Sequence, residues 1–508
     1  MGVIEAEVHS SLRAFLKAQA QPTWIHHLTM ARLVARALRL GRPALIQTGS
    51  ARARYVLSYL TPALLWNDPV ILVAPVAVQQ RLLQVEIPQL QQWLETNAEI
   101  RTEDSPRWEG DFGGIILASP ATWLADRLEK QGRFPQGIPT LIDCAEDLEE
   151  WTRQQLTASI QPKDWEELMQ QFPHIRDLIR DVRVQLTKAI FEHPQTPYEC
   201  CLLEVREQQS LRSLFKTLEQ HPCEKLIPNA FRQFWHRWQT DNQFLWASVA
   251  REQGQFTLHC EPGSVASALS QVWLQQPFVL IGRYLDQEKN APIYRQQLGL
   301  GELTCLKFSP EYQSDHMQLY LPDRLPMPNS PQFQAYLIPE IRNLVNLSNH
   351  LEGPAIVLIK DVPLKAQVGA TMAAEFGSRV QVEKTNLGDN SVLISSWEFW
   401  QEHQAVLPTP QLLVITSLPI PSLENPRVAG QVAYYKQQRA DWFRLYLLPT
   451  ALRELQQAVI PLRESQGIVA LLDNRVNHRS YGGKILAALE PCARIDYIDQ
   501  SEMKMGLS

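Results

Sequence analysis

Apolar positions along this chain gather into short continuous runs, separated by longer stretches with helical spacing. The runs are Ala44–Ile46, Val70–Ala74, Ile115–Ala118, Thr140–Ile142, Phe278–Gly282, Ala355–Ile359, Val392–Ser395, Leu412–Thr416 and Ile468–Leu472. Short unbroken runs alternating with helical periodicity predict strands of parallel sheets buried on both faces. Four runs precede residue 145, one lies near 280 and four follow 350, which predicts two α/β domains. Between 145 and 256 the strand signal mostly disappears. There Trp165–Phe172 and Ile175–Val184 are charged and amphipathic, predicting a mainly helical insertion within the first domain. The Pro-rich run Leu321–Pro331 reads as the linker into the second. The expected division is 1–145 for the first part of domain 1, 146–256 for an arch-like insertion, 257–304 for the return of domain 1, and 305–508 for domain 2.

Length agrees with more than one core, since 508 residues exceed what a single core organises. At 45% hydrophobic and 20% charged, the composition is that of soluble globular proteins, and no apolar run reaches the roughly 18 residues that span a bilayer. The N-terminus lacks a signal-peptide pattern, and Ala6 stands where a myristoylation site after Met1-Gly2 wants Ser or Thr. Seven scattered cysteines, an odd number, fit unpaired thiols in a reducing cytoplasm. The expectation is a cytoplasmic protein with no membrane partner.

A formal net charge of −6 argues against polyanion binding by bulk charge, but the distribution is uneven. Val8 to Asn67 contains no Asp or Glu, yet holds Arg13, Lys17, Arg32, Arg36, Arg39, Arg42, Arg52 and Arg54. Such a stripe meets nucleic-acid phosphates, with Arg32, Arg36, Arg39 and Arg42 as the candidates, or docks on an acidic segment such as Glu146–Glu167.

The first apolar run leads into Gln47-Thr-Gly-Ser-Ala-Arg-Ala-Arg54 and then a helical stretch. A phosphate-binding loop in this setting needs glycines whose N–H groups wrap the phosphates, a Lys, and a Ser/Thr hydroxyl for Mg²⁺. Here Gly49 remains, with Ser50 beside it. Ala51 and Ala53 stand where glycines belong, Arg54 where the Lys belongs, and Tyr55 or Val56 where the hydroxyl belongs. Gly49, Ser50 and Arg54 are the candidate cofactor-binding residues of this degenerate loop.

An ordered set of segments resembles the DinG/XPD branch of superfamily 2 ATP-dependent DNA helicases along almost the whole chain. They are Leu57–Ala63, Phe256–Pro262, Tyr294–Leu300, Leu325–Phe333, Leu418–Pro426, Leu448–Arg453 and Leu471–Arg475, with Tyr481-Gly482 beyond. The resemblance implies two RecA-like parallel-sheet domains of the P-loop NTPase type. It also aligns the catalytic motifs. The Asp-Glu-Ala-His box falls on Asp143-Cys144-Ala145-Glu146, leaving Asp143 as a Mg²⁺ remnant or a plain helix N-cap, and a thiol where a carboxylate polarises water. The coupling Ser-Ala-Thr motif falls on Gly282-Arg283-Tyr284, and a later motif keeps Phe399 and Trp400 while Gln401 and Gln404 replace its acids. In the arginine-finger motif Gln456 and Arg463 match, but Gln457, Val459 and Ile460 replace the rest, and Pro461 breaks the helix that would aim Arg463. The adenine-reading Gln is replaced by His27. A four-Cys iron–sulfur cluster between the first two motifs is excluded, because the first Cys in the chain is Cys144.

Packing positions hold while phosphate, Mg²⁺ and water-activating positions fail. The sequence therefore reads as a helicase-family pseudo-enzyme, with ATP and Mg²⁺ doubtful and single-stranded or duplex DNA, or a repair or replication protein, as partner. The alternatives are a diverged active helicase using Arg54 and Arg463, and an interaction scaffold without nucleic acid. The aromatic-cationic stretch Phe231–Trp238, with Phe244 and Trp246, reads as a single-strand binder or, at i, i+3, i+4 and i+7, as a core face; the second reading is preferred. His193, Cys200, Cys201, His221 and Cys223 fit no common zinc spacing, and Tyr481–Lys484 reads as a helix entry.

Overall fold

The computed structural model describes residues 4–19, 24–104, 112–220, 226–308, 317–348 and 353–495, without the side chains of 52–54. In chain order the strands are β1 (Ala44–Gln47), β2 (Val70–Val73), β3 (Glu99–Thr102), β4 (Gly114–Ala118) and β5 (Thr140–Ile142). An insertion follows with β6 (Ala158–Ile160), β7 (Cys200–Leu202), β8 (Gln243–Ala250) and β9 (Gln255–Pro262). Next come β10 (Phe278–Gly282) and β11 (Thr304–Lys307). The second half holds β12 (Gln318–Tyr320), β13 (Ala355–Leu358), β14 (Val380–Val382), β15 (Val392–Ser395), β16 (Leu412–Ile415), β17 (Ile468–Leu471) and β18 (Ala493–Ile495).

They form two seven-stranded sheets, ordered β11-β1-β10-β5-β2-β4-β3 and β14-β15-β13-β16-β17-β12-β18. Every neighbouring pair in both is parallel. The nine apolar runs in the sequence are the strands β1, β2, β4, β5, β10, β13, β15, β16 and β17, all buried along their length. Strands β3, β11, β14 and β18 lie at or beside sheet edges, where one side is open and polar residues are tolerated, so no apolar run marks them. Helices cover the sheets, and each has its own core, built on Leu45, Ile71, Trp123 and Leu280 in the first and on Val357, Met372, Val414 and Ala470 in the second.

The insertion is mainly helical, but its helices pack on an antiparallel sheet, β6-β9-β8-β7, that the periodicity did not announce. Strands β8 and β9 bury every second residue, and the charged or half-polar outer positions broke the apolar runs. Trp165, Phe215, Phe231 and Phe234 fill the core beneath that sheet.

The chain divides into two compact units. One is Met1–Gln47, Arg52–Lys307 and Pro421–Tyr446; the other is Thr48–Ala51, Phe308–Ile420 and Leu447–Ser508. The excursion Pro421–Tyr446 follows β16 in sequence yet packs within the first unit. Its helix, Pro426–Gln437, lies on β7 and β8. Close approach is made possible by two glycines. A Cβ on Gly430 would sit 2.5 Å from the Phe244 ring, and one on Gly263 would sit 2.5 Å from the ring of Tyr434. Arg153 anchors the same helix, donating to Gln431 Oε1 at 2.9 Å and to the Pro262 carbonyl at 2.6 Å, while Arg427 pairs with Glu261 at 3.1 Å.

Candidate functional site

Strand β1 ends in Gln47, whose buried amide ties down the loop after β10. Its Nε2 donates to the Glu288 carbonyl at 3.0 Å, and its Oε1 accepts from the amides of Leu285 (3.3 Å) and Asp286 (3.0 Å). Beyond Gln47 the chain turns at Gly49, whose φ of +63° is the left-handed conformation glycine accepts freely. The Thr48 hydroxyl donates to the Ser50 carbonyl at 3.4 Å. The helix Arg52–Leu64 then begins. The Arg54 side chain, the candidate phosphate cation, lies outside the described residues.

Tyr55 and Tyr59 stand one turn apart on that helix and so share a face. Both are fully buried, and both aim at the end of β5. The Tyr55 hydroxyl donates to Asp143 Oδ1 at 3.0 Å and the Tyr59 hydroxyl to Asp143 Oδ2 at 2.8 Å. Burial, and then the Asp143 carboxylate, push the Tyr55 phenol well above its ordinary range, so it stays a donor. Asp143 itself is fully buried and also accepts the Cys144 amide at 2.8 Å. The N-cap reading of Asp143 is therefore corrected: the helix Leu148–Leu156 starts after Asp147, and Asp143 holds its own neighbour's N–H instead. Cys144, half-buried, sits at φ +56°, a conformation uncommon for a non-glycine residue.

Two residues further, Glu146 is buried and meets Arg283 from the end of β10. Arg283 Nε donates to Glu146 Oε1 at 2.6 Å and its backbone N–H to Oε2 at 3.2 Å. Burial alone lowers the Arg283 guanidinium; the Glu146 carboxylate outweighs that and holds it above its ordinary value. Tyr284 is buried beside them. On the helix ahead of β1, His27 is buried and shares a hydrogen bond with Ser58 Oγ at 2.7 Å; burial lowers it to about 4, so the ring is neutral.

In the second unit, Trp400 is fully buried with Nε1 donating to the Ala458 carbonyl at 3.3 Å, and Gln401 is half-buried. Gln456 lies buried on the helix Leu448–Ala458. That helix stops at Val459 and a new one, Ile460–Ser465, starts with Pro461 in its first turn. Arg463 on this second piece donates to the carbonyls of Ala488 (3.3 Å), Leu489 (2.8 Å) and Pro491 (3.3 Å), at the C-terminal end of the helix Gly482–Leu489. That helix starts next to Tyr481, as the helix-entry reading required.

The basic stripe resolves into two parts. Arg32, Arg36 and Arg39 line an open cavity of about 870 Å³ between the helices Ile4–Ala18 and His27–Leu40, together with Glu5 and His9. Arg39 is not free there: its Nε and Nη2 hold both oxygens of Glu5 at 2.7–3.1 Å, an acid just upstream of the acid-free stretch. Arg42 is exposed beyond Gly41 and outside that lining. In the aromatic stretch, Phe231 and Phe234 are core, as preferred, while Trp235, Trp238, Phe244 and Trp246 stay half-exposed. His193 pairs with Glu207 at 2.8 Å, and Cys200 and Cys201 are buried in β7. His221 and Cys223 lie outside the described residues. Among the described residues no cluster of potential metal ligands occurs, and no helix is long and apolar enough to cross a membrane.

Sequence reasoning missed Tyr59 and the Glu146–Arg283 pair. The signals were there: a second Tyr four residues after Tyr55, and opposite charges at two motif positions where neither is expected.

Residues 363–492 match the helicase C-terminal domain family. Over 254 residues the chain is 25% identical to ATP-dependent DNA helicase YoaA of Escherichia coli (strain K12), covering 47% of this chain and 40% of that relative. The chain thus matches less than half the length of this curated relative. Two solved structures share the fold at 12% identity. One, titled XPD_APO, has a TM-score of 0.60 over 92% of this chain and 100% of its own. The other, Xpd4 of S. tokodaii, has a TM-score of 0.59 over 92% and 99%. With two parallel seven-stranded sheets, a helicase C-terminal domain match and these likenesses, the chain is similar to the DinG/XPD-like superfamily 2 helicases.

Proposed function

We propose that this chain is a helicase-family pseudo-enzyme that binds nucleic acid and hydrolyses little or no ATP. The observation that carries the reading is the capture of Asp143 by Tyr55 and Tyr59. Mg²⁺ needs several oxygen ligands at short, near-octahedral range and is usually shared between a carboxylate, waters and phosphates. Here the one carboxylate at the end of β5 is buried with a phenol on each oxygen, its neighbour is a thiol, and Glu146 is bound to Arg283. This donor set does not suit Mg²⁺–ATP. Cys144 is a poor activator of water, and Arg463 is engaged with helix carbonyls. No hydrolytic step is derived for these residues. The side chains that catalysis would require have become packing and hydrogen-bonding groups.

Nucleic acid as the ligand is supported by the acid-free stretch and by the cavity that Arg32 and Arg36 line, where guanidiniums suit phosphate oxygens. We read the chain as a domain 1 interrupted by an arch-like insertion and followed by a domain 2, working in the cytoplasm beside repair or replication proteins. The test is ATP turnover with and without single-stranded DNA, alongside calorimetric ATP binding at millimolar nucleotide. Turnover at background and no binding heat are expected. Robust DNA-stimulated turnover that Asp143→Ala abolishes would overturn the reading.

A further inference from the structure

A second open cavity, about 580 Å³, lies within the first unit where the helix Pro426–Gln437 meets the insertion. Its volume falls in the range of small-ligand sites and suffices for a nucleotide. Three rings from three different elements line it: Trp238 at the end of the helix Asn229–Trp238, Phe244 on β8, and Tyr434 on the helix Pro426–Gln437. All three are half-exposed, so part of each ring faces solvent.

Each ring is braced on one side. The Arg212 guanidinium lies 4.9 Å from the Trp238 ring centre, and Phe234 and Trp235 meet that ring edge-on. Phe244 rests against Gly430 and Tyr434 against Gly263, in contacts no side chain larger than hydrogen permits. Rings held this way lose little rotamer freedom when a ligand stacks on them. The polar lining consists largely of amides. Gln208 Nε2 donates to the Leu203 carbonyl at 2.8 Å and Gln243 Nε2 to Thr240 Oγ1 at 3.0 Å. Gln243 Oε1 is buried and has no hydrogen-bond partner among the described residues. The lining contains no carboxylate, and Lys436 is its cation.

We propose that this cavity takes an unstacked base of a single-stranded nucleic acid, stacked on Trp238, Phe244 or Tyr434, with its polar edge toward the Gln208 and Gln243 amides and its backbone phosphate toward Lys436. Flat π-faces, amides that both donate and accept, and a single cation suit a nucleobase. The absence of acid disfavours a cationic or metal ligand. This site is separate from the groove of Arg32 and Arg36, and it rests on the nucleic-acid reading above.

The experiment uses the full-length chain and fluorescence anisotropy with two labelled strands of equal length, one a mixed-sequence oligodeoxynucleotide and one abasic. The wild type is expected to prefer the strand with bases. Tyr434→Leu and Trp238→Leu each weaken that strand about fivefold or more while leaving the abasic strand and the salt slope unchanged, and Tyr434→Phe binds as the wild type does. Arg32→Ser with Arg36→Ser weakens both strands alike and flattens the salt dependence. If the Leu variants, folded by their thermal transitions, bind both strands as the wild type does, the base site is wrong and the nucleic-acid reading stands. If Trp238→Leu fails to fold, Tyr434→Leu against Tyr434→Phe decides. Binding of neither strand by the wild type overturns both proposals. Displacement of the strand by a free nucleoside monophosphate at the same base concentration overturns the strand as the ligand's source.

Discussion

Tyr55 donates its hydroxyl to Oδ1 of Asp143 at 3.0 Å, joining the start of the helix after β1 to the end of β5 inside the first sheet's core. A buried carboxylate is tolerable only when its oxygens are satisfied. Tyr55→Phe removes one donor and leaves the charge in place, so it should destabilise the protein by about 1.5–3 kcal/mol. Asp143→Asn removes the charge but sets an amide N–H donor against a hydroxyl that donates in the native protein, and the same direction is expected. Urea midpoints of the two variants check this. Unchanged midpoints would show that the three side chains do not form the unit described.

The Glu146–Arg283 pair makes a sharper prediction. Glu146 is 1% exposed, so Arg283→Ala strands a buried charge and should destabilise by about 3–5 kcal/mol. Replacing both, as Glu146→Gln with Arg283→Met, should recover most of that loss, because the desolvation penalty disappears along with the attraction. A double-mutant cycle in urea measures it. Near-additive single effects would mean that the ion pair carries no coupling.

Both relationships bear on what the sequence made legible. The central strands were readable because burial on both faces forces unbroken apolar runs such as Val70–Val73 and Leu412–Ile415. Edge strands such as β3 and β18 were not, since an open side admits Glu99, Arg101 and Arg494. The insertion sheet stayed hidden because one of its faces is open: Trp246, Ser248 and His259 point away from its core. At the site, the residues themselves were visible one by one, but the contacts they make were not. That Tyr55 and Tyr59 close on Asp143, or that Arg283 finds Glu146, depends on strands β5 and β10 lying side by side, and pairing across more than a hundred residues leaves no local pattern. The docking of Pro426–Gln437 on β7 and β8 was invisible too, because Gly430 and Gly263 signal close approach only once a partner is known.

Buried neutral imidazoles predict how stability responds to acid. His27 takes a proton near 6.5 in the unfolded chain but only near about 4 when folded, burial being the cause. His259, between Ser159 and Ser248, is likewise lowered to about 4, by burial and then by Arg427. Between these values the unfolded state holds more protons, so stability is complete above about pH 6.5 and falls as pH drops toward 4. The slope is about 1.4 kcal/mol per pH unit for each ring once it is fully engaged. Urea midpoints from about pH 7 to about pH 5 should decline in the wild type, and less steeply in His27→Gln or His259→Gln. A wild-type midpoint independent of pH, or identical slopes in all three proteins, counts against the buried neutral state.

The two close glycine contacts test the docking of the excursion Pro421–Tyr446. A methyl at Gly430 meets the Phe244 ring and one at Gly263 meets the Tyr434 ring, each at 2.5 Å, inside van der Waals range. Gly430→Ala and Gly263→Ala should each destabilise by about 1–3 kcal/mol through overpacking. Pairing Gly430→Ala with Phe244→Leu should relieve the first clash. Thermal unfolding of the four proteins reads this, and no relief in the pair would place the strain elsewhere.

Arg463 separates the two meanings of a matched motif residue. A catalytic arginine acts on transferring phosphate, so its loss lowers turnover and leaves stability nearly unchanged. A residue that satisfies the last carbonyls of a helix does the reverse, because those acceptors have no partners within the helix and favour a cation beside them. Arg463 donates to Ala488, Leu489 and Pro491, which puts it in the second class. Arg463→Ala should therefore destabilise by about 1–3 kcal/mol, and Arg463→Lys, with one ammonium for three acceptors, should recover only part of that. ATP turnover measured on the same samples should not change. A turnover that falls in Arg463→Ala while the unfolding midpoint stays fixed would return this residue to catalysis, and with it the chain to the active helicases.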